Sequence, residues 1–379
     1  MIPHRPLRRH TRGQNRRWPL VVLGLALTPV ALHAETLATS AGPVEIRTVA
    51  TGLDEPWGLG FLPDGGFLVT ERSGTLRHFR PDRSVVSVSG LPEIAVDGQG
   101  GLLDVMIPRD FATSREVFLS YAKPQPQGAG TALGSARLSA DGSRLEGFRL
   151  LFEMKEGNAG GVHFGSRIIE AGDGSIFLTM GERGDGKLAQ SLAHHNGKVV
   201  RINRDGSVPR DNPFVGTPDA LPEIWSYGHR NPQGAALDLA GNLWVNEHGA
   251  KGGDEVNVVT RGANYGWPVI TYGVNYNGRK IGIGTENPGM EQPVHYWDPS
   301  IAPSGMLVYS GKLWPEWSGD FFIGSLKFDY IARLDPDNGF AEERIEAPET
   351  GRVRDVREAP DGSIWFLSVN EGAVFQLSR

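Results

Sequence analysis

The sequence predicts an all-β protein, a six-bladed β-propeller of four-stranded antiparallel blades. Three observations carry that prediction. First, "FLPDGGFLVTERSGTLRHF" (Phe61–Phe79), "IIEAGDGSIFLTMGERGD" (Ile168–Asp185), "LDLAGNLWVNEHG" (Leu237–Gly249) and "REAPDGSIWFLSVNEGAVFQL" (Arg357–Leu377) share one grammar. Each runs from a short strand through an Asp-Gly-like turn to an alternating apolar strand and a polar or glycine turn, which is a repeated β-hairpin. Second, looser copies begin near Asp104 ("DVMIPRDFATSREVFLSYA") and Gly305 ("GMLVYSGKLWPEWSGDFFIGSL"). The total is about six units at roughly 45–70-residue spacing, the period of four-stranded blades. Third, 51 glycines and 26 prolines in 379 residues suit a turn-rich chain, and almost no stretch keeps a 3.6-residue apolar period.

The elements follow in order. Residues 1–34 read as a signal peptide: Arg5, Arg8, Arg9, Arg12, Arg16 and Arg17 precede an apolar run from Trp18 to Leu32 that ends in "LHAE". Cleavage is placed after Ala34, and a periplasmic or secreted protein is expected, with no integral membrane span in the mature chain; an uncleaved anchor is the alternative. Residues 35–379 then form one propeller domain. Its first strand, Val44–Leu53, is expected to pair into the last blade and close the ring, which removes exposed sheet edges.

Charge narrows the partners. Removing six arginines and no acid with the leader takes the formal charge from −6 to −12, so nucleic acid is not an expected partner. Cysteine is absent, which leaves oxygen and imidazole as the only ligands for any metal.

Loops at one end of a propeller channel supply its site. "GNAGGVHFGSR" puts His163 among small residues just before a blade's first strand, and "YGHRNPQG" does the same for Arg230 and Asn231. By position alone, His163 also reads as a buried histidine bonded to a loop carbonyl, and Arg230 as a structural ion-pair partner. "GSLKFDYIARL" and "GRVRDV" bring Lys327, Arg352 and Arg354 to the last two blades. Four cations entering one channel of an acidic protein suggest a polyanionic small ligand.

Six strings in register, "GQGGLLDV", "VHFGSR", "GHRNPQG", "GGDEVN", "NYGWP" and "PSIAPSG", resemble the soluble pyrroloquinoline quinone (PQQ)-dependent glucose/aldose sugar dehydrogenases, especially the aldose branch. The resemblance covers nearly all of the mature chain and implies a six-bladed propeller that holds the quinone over its channel with calcium. It implies that His163 is the general base removing the proton of the anomeric hydroxyl as hydride passes to the quinone. Arg230 and Asn231 match the pair that meets the ortho-quinone oxygens, and Gln99, Tyr276, Lys327, Arg352 and Arg354 match the other cofactor contacts. In the stretch "NEHGAKGGDEVNVVTRGANYGWP", Gly249-Ala250 stands where the family has Gly-Pro, whose carbonyls meet the cofactor's calcium. Glu255 and the backbone of Tyr265 match a second, structural calcium site.

The expected activity is oxidation of the C1 hydroxyl of aldoses to lactones, with electrons passed to a quinone or cytochrome acceptor. A calcium-dependent lactonase or esterase on the same architecture, with His163 activating water, is the alternative. A non-catalytic propeller that binds a protein or glycan is the third reading.

Overall fold

The computed structural model describes residues 35–379; the leader expected over residues 1–34 lies outside them. Six sheets form the blades. Their innermost strands are Pro56–Phe61, Leu102–Met106, Ile168–Glu170, Pro232–Leu237, Pro303–Val308 and Val353–Glu358, and the later strands of each blade pair outward in antiparallel order. The six-bladed, four-stranded expectation holds.

Turn chemistry repeats with the blades. Asp82, Asp141, Asp173, Asp205 and Asp361 each use Oδ1 to accept the backbone N–H of the serine two residues on, an Asx turn that reverses the chain. Four of these are the Asp-Gly-Ser tripeptides of the sequence.

The last blade closes as expected, with one addition. Gly42–Ala50 pairs antiparallel with Ala373–Ser378, and Glu35–Thr39 then folds back on it as a fifth strand. Val44 and Ile46 enter an apolar cluster with Tyr309, Trp314, Phe322 and Phe366, so closure buries side chains as well as pairing backbone.

Beneath the channel mouth, the inner strands are pinned by buried charge. Arg167 meets Asp104 at 2.8 Å and Asp355 at 3.1 Å, and Arg357 meets the same two aspartates, each at 2.9 Å. Asp104 also accepts the Ile168 N–H and Asp355 the Leu59 N–H. The network therefore spans the first, second, third and sixth blades. Packing there is so close that a Cβ on Gly305 would sit 2.2 Å from Asp355 Oδ1.

Candidate active site

In antiparallel blades, the start of each first strand and the end of each second strand lie at the same end. Residues before first strands and after second strands therefore converge on one channel mouth. Five of the six first strands carry a register shift against the second strand near this entrance, the sign of bulges that re-aim side chains. A cavity opens here, lined among others by Trp57, Gln99, Asn231, Gln233, Arg352 and Arg354.

The cations at this mouth lack acids. Among the described residues, no carboxylate lies within 4.0 Å of the charged nitrogens of Arg230, Lys327, Arg352 or Arg354. Arg354 gives one hydrogen bond to Gln233 Oε1 at 2.9 Å, and Arg352 one to the Leu326 carbonyl at 2.9 Å. Burial, and then the charges of Arg352 and Arg167, push the Arg354 guanidinium down to about 9. Arg230 is buried over the Trp267 ring, bonded to the His248 carbonyl at 3.2 Å, with Nε left without a partner. Such a cluster is built to receive anionic oxygen.

His163 stands at the rim with φ of +53°, a left-handed backbone uncommon for a side-chain-bearing residue. Gln99 Oε1 fixes its backbone N–H at 2.7 Å. Its Nδ1 lies 2.6 Å from Glu182 Oε2, which also accepts the Gly184 N–H at 2.6 Å. A carboxylate only accepts, so the imidazole proton belongs on Nδ1 and Nε2 is left with its lone pair. Arg183 ties the two halves of this pair together. Its buried guanidinium stacks 3.4 Å from the Phe164 ring and donates to the carbonyls of Val162, Ala129 and Asn158, while Asn158 Nδ2 returns a bond to the Arg183 carbonyl at 2.9 Å.

The acidic, glycine-rich stretch forms the wall of an adjoining cavity shared by Glu247, His248, Gly249, Glu255 and Tyr265. Asp254 builds its turn by accepting the N–H groups of Gly249 and Ala302, each at 2.7 Å. Gly249 is required because a Cβ would lie 2.3 Å from the carbonyl oxygens of Gly252 and Gly253. Ala250 is buried beside it. Glu255 faces Glu247 directly across the second and third strands of the fourth blade. Burial, and then the Glu247 charge, push the Glu255 carboxyl up, so the pair favours a shared proton or a cation between its two carboxyls. Glu247 is engaged by His229 Nδ1 at 2.8 Å and the Arg230 N–H at 2.6 Å, and Tyr265 stacks on His229. No three acidic or imidazole side chains gather at metal distance among the described residues, so backbone carbonyls, amide oxygens or water would have to complete any coordination sphere.

The structure thus brings Gln99, His163, Arg230, Asn231, Arg352 and Arg354 to one mouth, with Gly249, Ala250, Glu255 and Tyr265 beside it. Two residues do not line the cavity. Lys327 lies on the turn between the second and third strands of the fifth blade, exposed, with its ammonium over the Phe328 ring. Tyr276 is 75% exposed and lines neither cavity. Sequence reading missed Glu182, Glu247 and Gln233. A signal for the first two existed: Glu247 closes the second strand of the repeated hairpin, as Glu71 does, and Glu182 follows that strand by two residues.

Fold and site together define a six-bladed propeller whose cation-lined channel mouth carries a carboxylate-oriented histidine. The chain belongs to the glucose/sorbosone dehydrogenase family, whose sequence profile matches residues 53–376. It is 42% identical over 350 residues to the aldose sugar dehydrogenase YliI of Escherichia coli strain K12, covering 90% of this chain and 94% of that one. The soluble aldose sugar dehydrogenase of Escherichia coli in its apo form superposes with a TM-score of 0.84 at 42% identity, covering 88% of this chain and 99% of that one. The PQQ-bound aldose sugar dehydrogenase of Streptomyces coelicolor superposes with a TM-score of 0.73 at 26% identity, covering 91% and 99%.

Proposed function

We propose that this protein is an exported PQQ-dependent aldose sugar dehydrogenase that oxidises the C1 hydroxyl of aldoses to lactones. The observation that carries the reading is the group of cations without acidic partners around the cavity, in a chain whose net charge is negative. Bound PQQ supplies a two-electron acceptor for the C1 hydride, and calcium supplies a Lewis acid at the quinone.

The chain's own residues do the rest. Arg352 and Arg354 fit carboxylates of the cofactor, and Lys327 reaches for the same charge from the rim. Arg230 and Asn231 present donors toward reactive oxygens, where fixed dipoles stabilise developing negative charge without reorganising. His163 accepts the hydroxyl proton at Nε2, and Glu182 holds the ring and stabilises the resulting imidazolium. Gly249 and Ala250 carbonyls fit the cofactor-side calcium, and Glu255 with the Tyr265 carbonyl fits a structural calcium. Glu247 contributes negative charge to that second site.

Export rests on the arginine-then-apolar layout of residues 1–34. Among the described residues, no helix is long and apolar enough to cross a membrane. The test is reconstitution: apoprotein mixed with PQQ and calcium reduces an artificial electron-accepting dye when an aldose is added. No dye reduction across a panel of aldoses, with cofactor binding verified separately, would overturn the proposal. Hydrolysis of a lactone by the quinone-free protein would favour the lactonase reading instead.

A further inference from the structure

Gln233, in the first strand of the fourth blade, is buried beneath the cavity and bonded on both sides. Its Oε1 accepts from Arg354 Nη1 at 2.9 Å, and its Nε2 donates to Asn231 Oδ1 at 3.1 Å. The same Asn231 Oδ1 accepts the backbone N–H of Gly165 at 3.1 Å. Both ends of this relay are groups that can only donate, a guanidinium and a backbone amide. Asn231 must therefore turn its oxygen to Gly165. Gln233 must then turn its nitrogen to Asn231 and its oxygen to Arg354, so one orientation of the two amides satisfies every bond. Gln233 Nε2 also reaches the Gly165 carbonyl at 3.5 Å, so of the two amides one donor group is left over. Asn231 Nδ2 has no protein partner among the described residues, is not sealed in the interior, and belongs to a residue that lines the cavity.

We infer that Gln233 is a positioning residue: with Gly165 and Arg354 it holds Asn231 so that Nδ2 faces the cavity as a fixed donor to a ligand oxygen. The inference rests on the reading of this cavity as the quinone site. It also makes the two cofactor contacts interdependent, because the oxygen that receives Arg354 and the nitrogen that orients Asn231 belong to one amide. A fixed donor at a quinone oxygen favours the reduced form, whose oxygens carry more negative charge. The relay therefore sets the bound quinone's potential, which a purely structural glutamine would not do.

Two variants test this. Gln233→Glu keeps the side-chain length and an acceptor for Arg354, but as a carboxylate offers Asn231 no donor. Gln233→Met keeps the length and offers neither. Each apoprotein is titrated with PQQ in calcium, and the midpoint potential of the bound quinone is then measured. Affinity for the reduced form relative to the oxidised form should fall about tenfold in both, a drop of about 30 mV for a two-electron couple. A wild-type potential in either folded variant overturns the inference.

The relay is also readable without cofactor. In the wild-type apoprotein, side-chain amide NMR should find the Gln233 Nε2 protons exchanging with solvent more slowly than those on Asn231 Nδ2. The reverse order overturns the assigned orientation whatever the ligand. Failure of the wild type to bind PQQ, with that exchange order intact, would strike the reading of the cavity while supporting the relay.

Discussion

Single atoms divide the labour at the channel mouth, and substitutions should separate it. His163→Ala removes the proposed base and leaves the cations untouched. We expect kcat to fall about 10²- to 10⁴-fold with the quinone Kd nearly unchanged, checked by steady-state rates and a binding titration. Glu182→Gln should be milder, because one oxygen, Oε2, serves both His163 Nδ1 and the Gly184 N–H. An amide oxygen in that place keeps the tautomer and loses only the charge, so a fall of about 10- to 100-fold in kcat is expected. The arginines should part in another way. On the proposed cofactor contacts, Arg354→Ala leaves an anionic group without its partner and should cost roughly 2–5 kcal/mol of quinone affinity. Arg230→Ala should lower kcat at saturating quinone more than it lowers affinity, since the charge it meets grows in the transition state. Equal proportional losses in both variants would contradict the division.

Between elements, polar side chains join neighbouring blades, and one of them carries a pH dependence. His195 is buried in the segment before the third strand of the third blade and takes the Lys155 backbone N–H on Nδ1 at 2.9 Å. Lys155 follows the outermost strand of the second blade, so this bond ties two blades together. Nδ1 must stay unprotonated to accept it. Burial holds the imidazole below its ordinary 6.5, despite the opposing pull of Glu223. Below about pH 6.5 the unfolded chain takes up a proton that the folded chain refuses. Stability is therefore lost as pH falls through that region. His195→Gln, whose amide oxygen can accept the same N–H, should show a shallower loss in urea midpoint between pH 7 and 5. An unchanged slope would assign the acid sensitivity elsewhere.

The whole ring depends on closure and on what its mouth holds. Asp104→Asn would leave Arg167 and Arg357 short of charge inside the pin that joins four blades. A loss of about 3–5 kcal/mol is expected from breaking such a buried network, read from the urea midpoint. Ligand works in the other direction. PQQ with calcium at about 100 times Kd should add about 2.7 kcal/mol by mass action, raising Tm by several degrees, and chelation should reverse it. Magnesium should substitute poorly, because it demands tighter octahedral geometry than carbonyl-rich loops offer. A Tm indifferent to chelation, with cofactor release verified, would remove calcium from the proposal.

Sequence by itself determined the blade count, the closing strand and most residues of the mouth. The reason is local: Asp-Gly turns, period-two apolar strands and the polar residues before first strands are all written in short windows. Only the tertiary structure decided which of those residues meet. Glu182 reaches His163 because the end of one strand and the loop before its neighbour share an end of the blade, across 19 positions of chain. Strand register sets Glu255, half-buried, opposite Glu247 at the adjoining cavity, which no local pattern shows. Gln233 reaches Arg354 across 121 positions, a contact made by closing the ring and by no local pattern. Tyr276 and Lys327 illustrate the converse: their motifs were legible, but neither side chain lines the cavity, because loop conformation depends on packing.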